Sequence, residues 1–255
     1  MRVVSDLVRR LGAADAALFV LDRVLDKMSG GRFRLTKHYF TAQPVPQEPM
    51  RLARASGITV DELHEGDPRL ALLDRPAAEL ARRFASGARC FAAWQGETLA
   101  GFLWYTGEPY VEEEIGCTFR VHPADRAVWD LDVHVVPRFR LGRTFALLWA
   151  HAFAAMRADA IRWTISRVSA FNADSIRAHQ RLGAQRTGWV AFFSLGSFRV
   201  TLTSLGILKC GRQEHGSYPV IEVRAPTNEE VRSASENRDE PALVAGSDRT
   251  TGRVV

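Results

Sequence analysis

Arg138, Arg140 and Arg143 crowd the turn that follows Pro137, and that turn opens a long run of helical periodicity. A helix start leaves about four backbone N–H groups without partners and carries partial positive charge. A phosphate or pyrophosphate placed there satisfies both, and arginines add charge-assisted bonds. Three arginines at a turn also read as solvated surface, and this motif alone does not separate the two. Just ahead of it, Trp129 to Val136 alternates as a strand, with Asp130, Asp132 and His134 on one face and Trp129, Leu131, Val133 and Val135 on the other. Carboxylates and imidazoles move protons. Buried without partners they are costly, so at least one of the three is expected to line a polar cavity or meet solvent.

These groups are positioned by a strand, an anion-binding turn, a helix, a second apolar strand over Ala160 to Val168, then Asn172 and a short amphipathic helix ending in Leu182-Gly183-Ala184. The order is β, α, β, α. Upstream, Leu18, Leu21, Leu25 and Met28 lie at helical spacing over Ala14 to Met28, with Gly30-Gly31 as the stop. Arg32 to Ala42 reads as a strand that ends at Pro44 and Pro46. The segment from Pro44 to Pro76 is loop-rich, with a short helix expected at Val60 to His64. A helix over Pro76 to Ser86 and a hairpin of Ala88 to Trp94 with Leu99 to Tyr105 follow. Tyr110 to Glu114 is acidic and reads by default as a solvated charge run, although an acidic patch would also suit a cationic amine. Cys117 to His122 is the next strand, and Thr187 to Ser194 with Ser197 to Leu205 form a closing hairpin.

The second half of the central stretch resembles the GNAT (general N-acetyltransferase) superfamily. That family has a strand ending in Val-x-Pro, a turn of pattern Arg/Gln-x-x-Gly-x-Gly/Ala that cradles the coenzyme A pyrophosphate, and, after the next strand, Asn-x-x-Ala-x-x-x-Tyr-x-x-x-Gly-Phe. Val135 and Pro137 match, and Arg140 takes the leading position of the turn. Arg143 stands where the family has its central glycine, Phe145 where it has the final small residue, and Gly142 sits one place early. Asn172, Ser175, Ile176, His179, Leu182, Gly183 and Ala184 keep the spacing of the second motif, with Ser for Ala, His for Tyr and Ala for Phe. The resemblance covers roughly Ala88 to Leu205.

It implies an α/β (α+β) fold with a mixed, mostly antiparallel central sheet flanked by helices, and an N-acetyltransferase using acetyl-CoA. Arg138, Arg140, Gly142 and Arg143 would surround the pyrophosphate, Val135 and Val136 would offer backbone groups to the thioester and pantetheine, and Asn172 would bond the pantetheine arm. Asn172 also fits as a helix N-cap. His179 takes the place of the tyrosine that protonates the thiolate, and reads otherwise as a buried helix histidine. Asp132 and His134 are the candidate proton acceptors. The acceptor would be an amine of a small molecule or protein. An acyl carrier protein is the alternative donor, its acidic surface meeting the arginines, and a non-catalytic coenzyme A binder is the third reading.

A chain of 255 residues, 46% hydrophobic and 25% charged, can bury one sizeable core. The formal charge is +5, yet Lys27, Lys37 and Lys209 are the only lysines, and no interleaved basic and aromatic pattern suggests a nucleic-acid groove. Cys90, Cys117 and Cys210 have no metal-ligand spacing and read as buried free thiols of a reducing compartment. No apolar run is long enough to span a membrane and none reads as a signal peptide, so a cytoplasmic protein is expected, with a homodimer allowed. The expected organisation is an N-terminal helix and strand over 1–43, either an extension or the first unit of the fold, an acyltransferase domain over 44–225, and a polar tail over 226–255 too poor in apolar residues to fold.

Overall fold

The computed structural model describes residues 2–52, 57–112, 117–140, 142–204, 208–212, 220–227 and 230. Two helices, α1 (Arg2–Leu11) and α2 (Ala13–Met28), precede strand β1 (Phe33–Pro44). Strand β2 (Ile58–Leu63), a 3-10 turn (Pro68–Leu73) and helix α3 (Ala77–Ala85) lead to the hairpin β3 (Arg89–Gln95) and β4 (Thr98–Thr106). Short strands β5 (Tyr110–Glu112) and β6 (Cys117–His122) come next. The central unit is β7 (Ala127–Val135), α4 (Thr144–Ala158), β8 (Trp163–Ser169) and α5 (Ala173–Arg181). Strands β9 (Gln185–Leu195), β10 (Phe198–Thr203), β11 (Leu208–Arg212) and β12 (Val220–Arg224) close the order.

Nine strands form one sheet in the order β11-β10-β9-β1-β8-β7-β4-β3-β2, and β12-β6-β5 form a second of three strands. Within the larger sheet the pairings are antiparallel except that of β7 with β8. This is a mixed, mostly antiparallel sheet flanked by helices. A parallel neighbour demands a crossover, and α4 supplies it, packing Leu148, Trp149, Ala152 and Phe153 against Phe91, Leu103, Tyr105 and Val128. On the opposite face Phe40, Trp129, Ile165 and Phe192 meet Phe119, Val121, Ile221 and Val223 of the small sheet. Alongside them, α3 and the 3-10 turn cover Cys90, Phe102 and Trp104.

β1 lies between β9 and β8, so the N-terminal strand is an interior member of the sheet. The segment expected as a helix at Val60 to His64 is instead strand, pairing Ile58 with Gln95 through Leu63 with Cys90. Its alternating, partly β-branched sequence outweighs local helix preference once a neighbouring edge is available. α1, β5, β11 and β12 have no counterpart in the sequence reading. Of the acidic run, Glu112 is not solvated, since its carboxylate accepts from Arg167 Nη2 at 2.8 Å; Glu113 and Glu114 lie outside the described residues, as does nearly all of the tail. Cys90 and Cys117 are buried and form no disulfide among the described residues, and the side chain of Cys210 falls outside the description.

Gly101 permits β4 and β7 to approach: a Cβ there would lie 2.5 Å from the His134 carbonyl oxygen and 3.2 Å from Val135 Cα. Both clashes are with backbone, which cannot rotate away. Gly101→Ala should therefore cost about 2 kcal/mol or more and lower the melting temperature by several degrees. Calorimetry of the variant measures this, and a change of less than a degree would show that β7 can shift freely.

Candidate functional site

β7 and β8 pair only from Ala127 and Trp163 to Asp130 and Ser166. Beyond that point β7 continues along β4 to Val135 while β8 continues along β1 to Ser169, and the two strands part. The Val136 N–H donates to the Ala100 carbonyl at 2.9 Å, which places Val136 on the β4 side. Strand alternation then turns the backbone groups of Val135 and Val133 toward the parted edge. Of the two residues expected to offer backbone groups, Val135 is placed to do so and Val136 has its N–H committed within the sheet. The side chains of Val133 and Val135 pack toward α4.

The parted edge leads to the arginine turn. Pro137–Phe139 forms a 3-10 turn, and α4 begins at Thr144 with Arg143 at its N-cap and no side-chain cap. The first helical bond of α4 outside its own span runs from Leu147 N–H to the Arg143 carbonyl, so the N–H groups of the first turn have no partner inside the helix. Arg138, Arg140 and Arg143 are all exposed. Arg140 Nε donates to the Val135 carbonyl at 3.0 Å, and the Arg138 guanidinium lies 4.8 Å from the Phe139 ring centre. Gly142 donates its N–H to the Phe139 carbonyl at 3.1 Å, and an added Cβ would sit 3.3 Å from that same oxygen, so this glycine serves the tight turn.

The expected common face of Asp130, Asp132 and His134 does not form. The β4 and β7 registers pair Trp104 with Asp132 but Tyr105 with Asp130, leaving Leu131 as an extra residue on β7. Such a bulge reverses the alternation across it. Asp132 and His134 thus go with Trp104 and Phe102, whereas Asp130 goes with Tyr105 on the α4 side. Asp132 is held by Arg75 Nε at 2.8 Å, Arg75 Nη2 at 3.1 Å and Arg83 Nη1 at 3.0 Å. Two guanidiniums thus occupy this carboxylate. His134 stacks on Phe102 with ring centres 5.4 Å apart, and burial, then the Arg75 charge, lowers its pKa.

Sequence reasoning missed a polar row that crosses four strands on the α4 side. Thr41 on β1 faces Ser166 on β8, Ser166 faces Asp130 on β7, and Asp130 faces Tyr105 on β4. All four are buried, and Thr41 Oγ1, Ser166 Oγ and the Tyr105 hydroxyl reach no hydrogen-bond partner among the described residues. Thr164, Gln43 and Thr144, also buried, add three more such groups. The legible signal was the alternation of Thr41 with Gln43 and of Thr164 with Ser166. Burial pushes Asp130 up to about 7, against a smaller lowering by the nearby Ser166 hydroxyl, which falls short of hydrogen-bond geometry.

His179 lies within the core at 3% exposure, edge-on to Phe145 and Trp149 at ring-centre distances of 5.6 and 5.7 Å. Its Nδ1 is 3.3 Å from Gln43 Oε1, an atom that only accepts, so the proton is assigned to Nδ1. Burial lowers the pKa to about 4, and the ring is neutral at pH 7. Phe145, at the position where the resembled motif has a small residue, forms one wall of this pocket. Asn172 caps α5, its Oδ1 accepting from Ser175 N–H at 3.1 Å.

The motif order expected from the sequence, strand, proline turn, helix, parallel strand and asparagine-capped helix, is present in full. The fold is a mixed, mostly antiparallel sheet flanked by helices, as the resemblance implied. Among solved structures, the chain is similar to a putative GNAT-family acetyltransferase from Novosphingobium aromaticivorans, at 20% identity and a TM-score of 0.45 over 64% of this chain and 65% of that one. It is also similar to a GCN5-related N-acetyltransferase from Sphaerobacter thermophilus, at 16% identity and a TM-score of 0.46 over 82% of this chain and 58% of that one. A third, AAC(6')-Iy in complex with the bisubstrate analogue CoA-S-monomethyl-acetylneamine, gives 21% identity and a TM-score of 0.37 over 50% of this chain and 90% of that one. The chain thus spans under two thirds of the length of the first two. No family model and no curated protein matches.

Asp130 yields a pH test. Its ordinary pKa of 3.8 is raised to about 7 in the folded chain, so between these values the unfolded chain loses a proton that the folded one keeps. Stability must fall as pH rises through that window and level off above it. Asp130→Asn removes the penalty and should stabilise the protein at pH 8, by at most on the order of 4 kcal/mol, with little change at pH 4. Urea midpoints at the two values decide; equal effects at both would place the carboxyl in contact with solvent.

Proposed function

We propose that the protein is an acyltransferase that moves an acyl group, most simply acetyl from acetyl-CoA, to an amine. The observation that carries this reading is the parting of β7 from β8, with the Val133 and Val135 backbone turned into the gap and an uncapped, arginine-flanked helix start at its mouth. An extended pantetheine arm can complete a strand edge of this kind, and a pyrophosphate suits the N–H groups and charge at the start of α4. Transfer from a thioester to a neutral amine needs no covalent intermediate on the protein; positioning and removal of the amine proton supply much of the rate.

For that proton the geometry supports Asp130 over Asp132 and His134. It sits where the strands part, faces the neutral residues Ser166 and Tyr105 on the neighbouring strands, and its pKa of about 7 suits a base working near neutrality. His179 is supported as a structural residue: neutral, with its one N–H directed at Gln43, it has no proton to give the thiolate. The exposed arginines also suit the acidic surface of an acyl carrier protein, which keeps that donor as the second reading.

Coenzyme A at about a hundred times its dissociation constant should stabilise the fold by roughly 2.7 kcal/mol, and Arg138→Gln with Arg140→Gln should abolish most of that gain. A thermal shift with acylated carrier protein and none with coenzyme A would move the donor to the carrier. No shift with either would sink the acyltransferase reading.

Kinetics separate the two side chains. General acid or base catalysis is worth about a hundredfold to ten-thousandfold, so Asp130→Asn should lower kcat by that order and remove the limb of the pH profile near 7. His179→Phe should lower kcat less than about tenfold; a larger loss at unchanged donor affinity would return His179 to the role of general acid.

A further inference from the structure

α1, α5 and the start of β9 enclose a small cleft of about 120 Å³, well removed in sequence from the arginine turn. Its floor is apolar, with Ala173 and Ile176 buried, and Arg10, Arg177, Gln180 and Arg186 stand at its sides. Three guanidiniums from three separate elements therefore converge on one space. Two of them share the carboxylate of Asp174, which accepts from Arg10 Nη2 at 3.2 Å and from Arg177. Arg186 has no such partner among the described residues. Its guanidinium lies 3.9 Å from the centre of the Tyr39 ring. That ring is itself fixed, because the Tyr39 hydroxyl donates to the buried Asp15, which Lys37 Nζ also reaches at 2.8 Å.

Stacking holds the planar fork in place and leaves its N–H edges as donors, an arrangement that lowers the entropy lost on binding an oxyanion. With one carboxylate against three arginines, the cleft keeps a surplus of two positive charges, and the glutamine amide adds a neutral donor. A single chloride would leave the surplus unmet, and a carboxylate would halve it. A phosphate dianion meets the charge, and its several acceptor oxygens can take donors from all three elements at once.

We propose that this cleft binds a phosphate dianion, free or as the monoester of a small molecule, and that the bound ion ties α1 to α5. The site is independent of the acyl-donor reading. Both phosphate sources present the same group to Arg10, Arg177 and Arg186, and the difference between them lies in whether the mouth of the cleft admits an ester substituent.

The test is done in the Arg138→Gln, Arg140→Gln background of the full chain, which removes the other cluster expected to attract phosphate. Inorganic phosphate, and separately glycerol phosphate, is titrated at constant ionic strength while the melting temperature is followed. A saturable rise of several degrees is expected, larger at pH 8 than at pH 5.5, where less of the ion is dianionic. Adding Arg10→Gln and Arg186→Gln should abolish the rise. Arg186→Lys, which keeps the charge and loses the fork and the stack, should weaken binding about tenfold. A rise with inorganic phosphate alone assigns the site to the free ion, and a rise with both admits monoesters. The proposal is overturned by no rise with either, by an equal rise with chloride, or by an undiminished rise after Arg10 and Arg186 are replaced. If the double replacement does not fold, the Arg186→Lys comparison carries the same decision, since unchanged affinity there excludes a stacked, forked donor.

Discussion

Two parallel strands that separate must each be held from the far side, and this constraint governs the centre of the molecule. Past Asp130 and Ser166, β7 and β8 give up their mutual hydrogen bonds, and unpaired backbone groups are costly unless something else takes them. β4 holds β7 as far as Val135 and β1 holds β8 as far as Ser169. Neither support is local. β1 arrives from the N-terminal segment, which is why that segment is built into the sheet, and β4 is drawn close to β7 at Gly101 because no side chain intervenes. The crossover helix then fixes both strands on one face, burying Trp149 and Phe153 completely. The gap is thus held open by what surrounds it, and its lining is backbone.

The same arrangement accounts for the unusual polarity beneath α4. Residues beside the point of parting cannot be uniformly large and apolar without filling it, and Thr41, Ser166, Thr164 and Gln43 occupy that part of the face. Leu131 sets which side each acid takes. As the extra residue of the bulge it directs Asp130 into the row of hydroxyls and Asp132 to the opposite face, where Arg75 and Arg83 neutralise it. One inserted position therefore gives two aspartates on the same strand different surroundings: one is bonded by two guanidiniums, the other is pushed toward the neutral form by burial.

Much of this was legible in the residues. The strand, turn, helix, strand and capped helix from β7 to α5 follow from period and punctuation, as do α2, α3 and the β3 and β4 hairpin, because those signals are local. The arginine turn was legible for the same reason. What escaped were features that depend on a distant partner. The strand at Ile58–Leu63 is stabilised by β3, and β12 pairs with β6 across about a hundred residues of sequence. Period two cannot reveal a bulge, since Trp129 to Val136 alternates without a break in the sequence and the slip is imposed by β4. The Asp132 ion pairs reach to Arg75 and Arg83, and nothing near Asp132 announces them.

His179 keeps its motif position and is buried among rings. Its spacing from Asn172 is preserved, and α5 carries it to the inner side of the sheet, yet the space around it is taken by Phe145 and Trp149. Phe145 stands on α4 where a small residue would leave the helix start open toward α5. A large ring there does two things at once. It packs the junction of α4 and α5, and it removes water from the imidazole, which lowers its pKa to about 4.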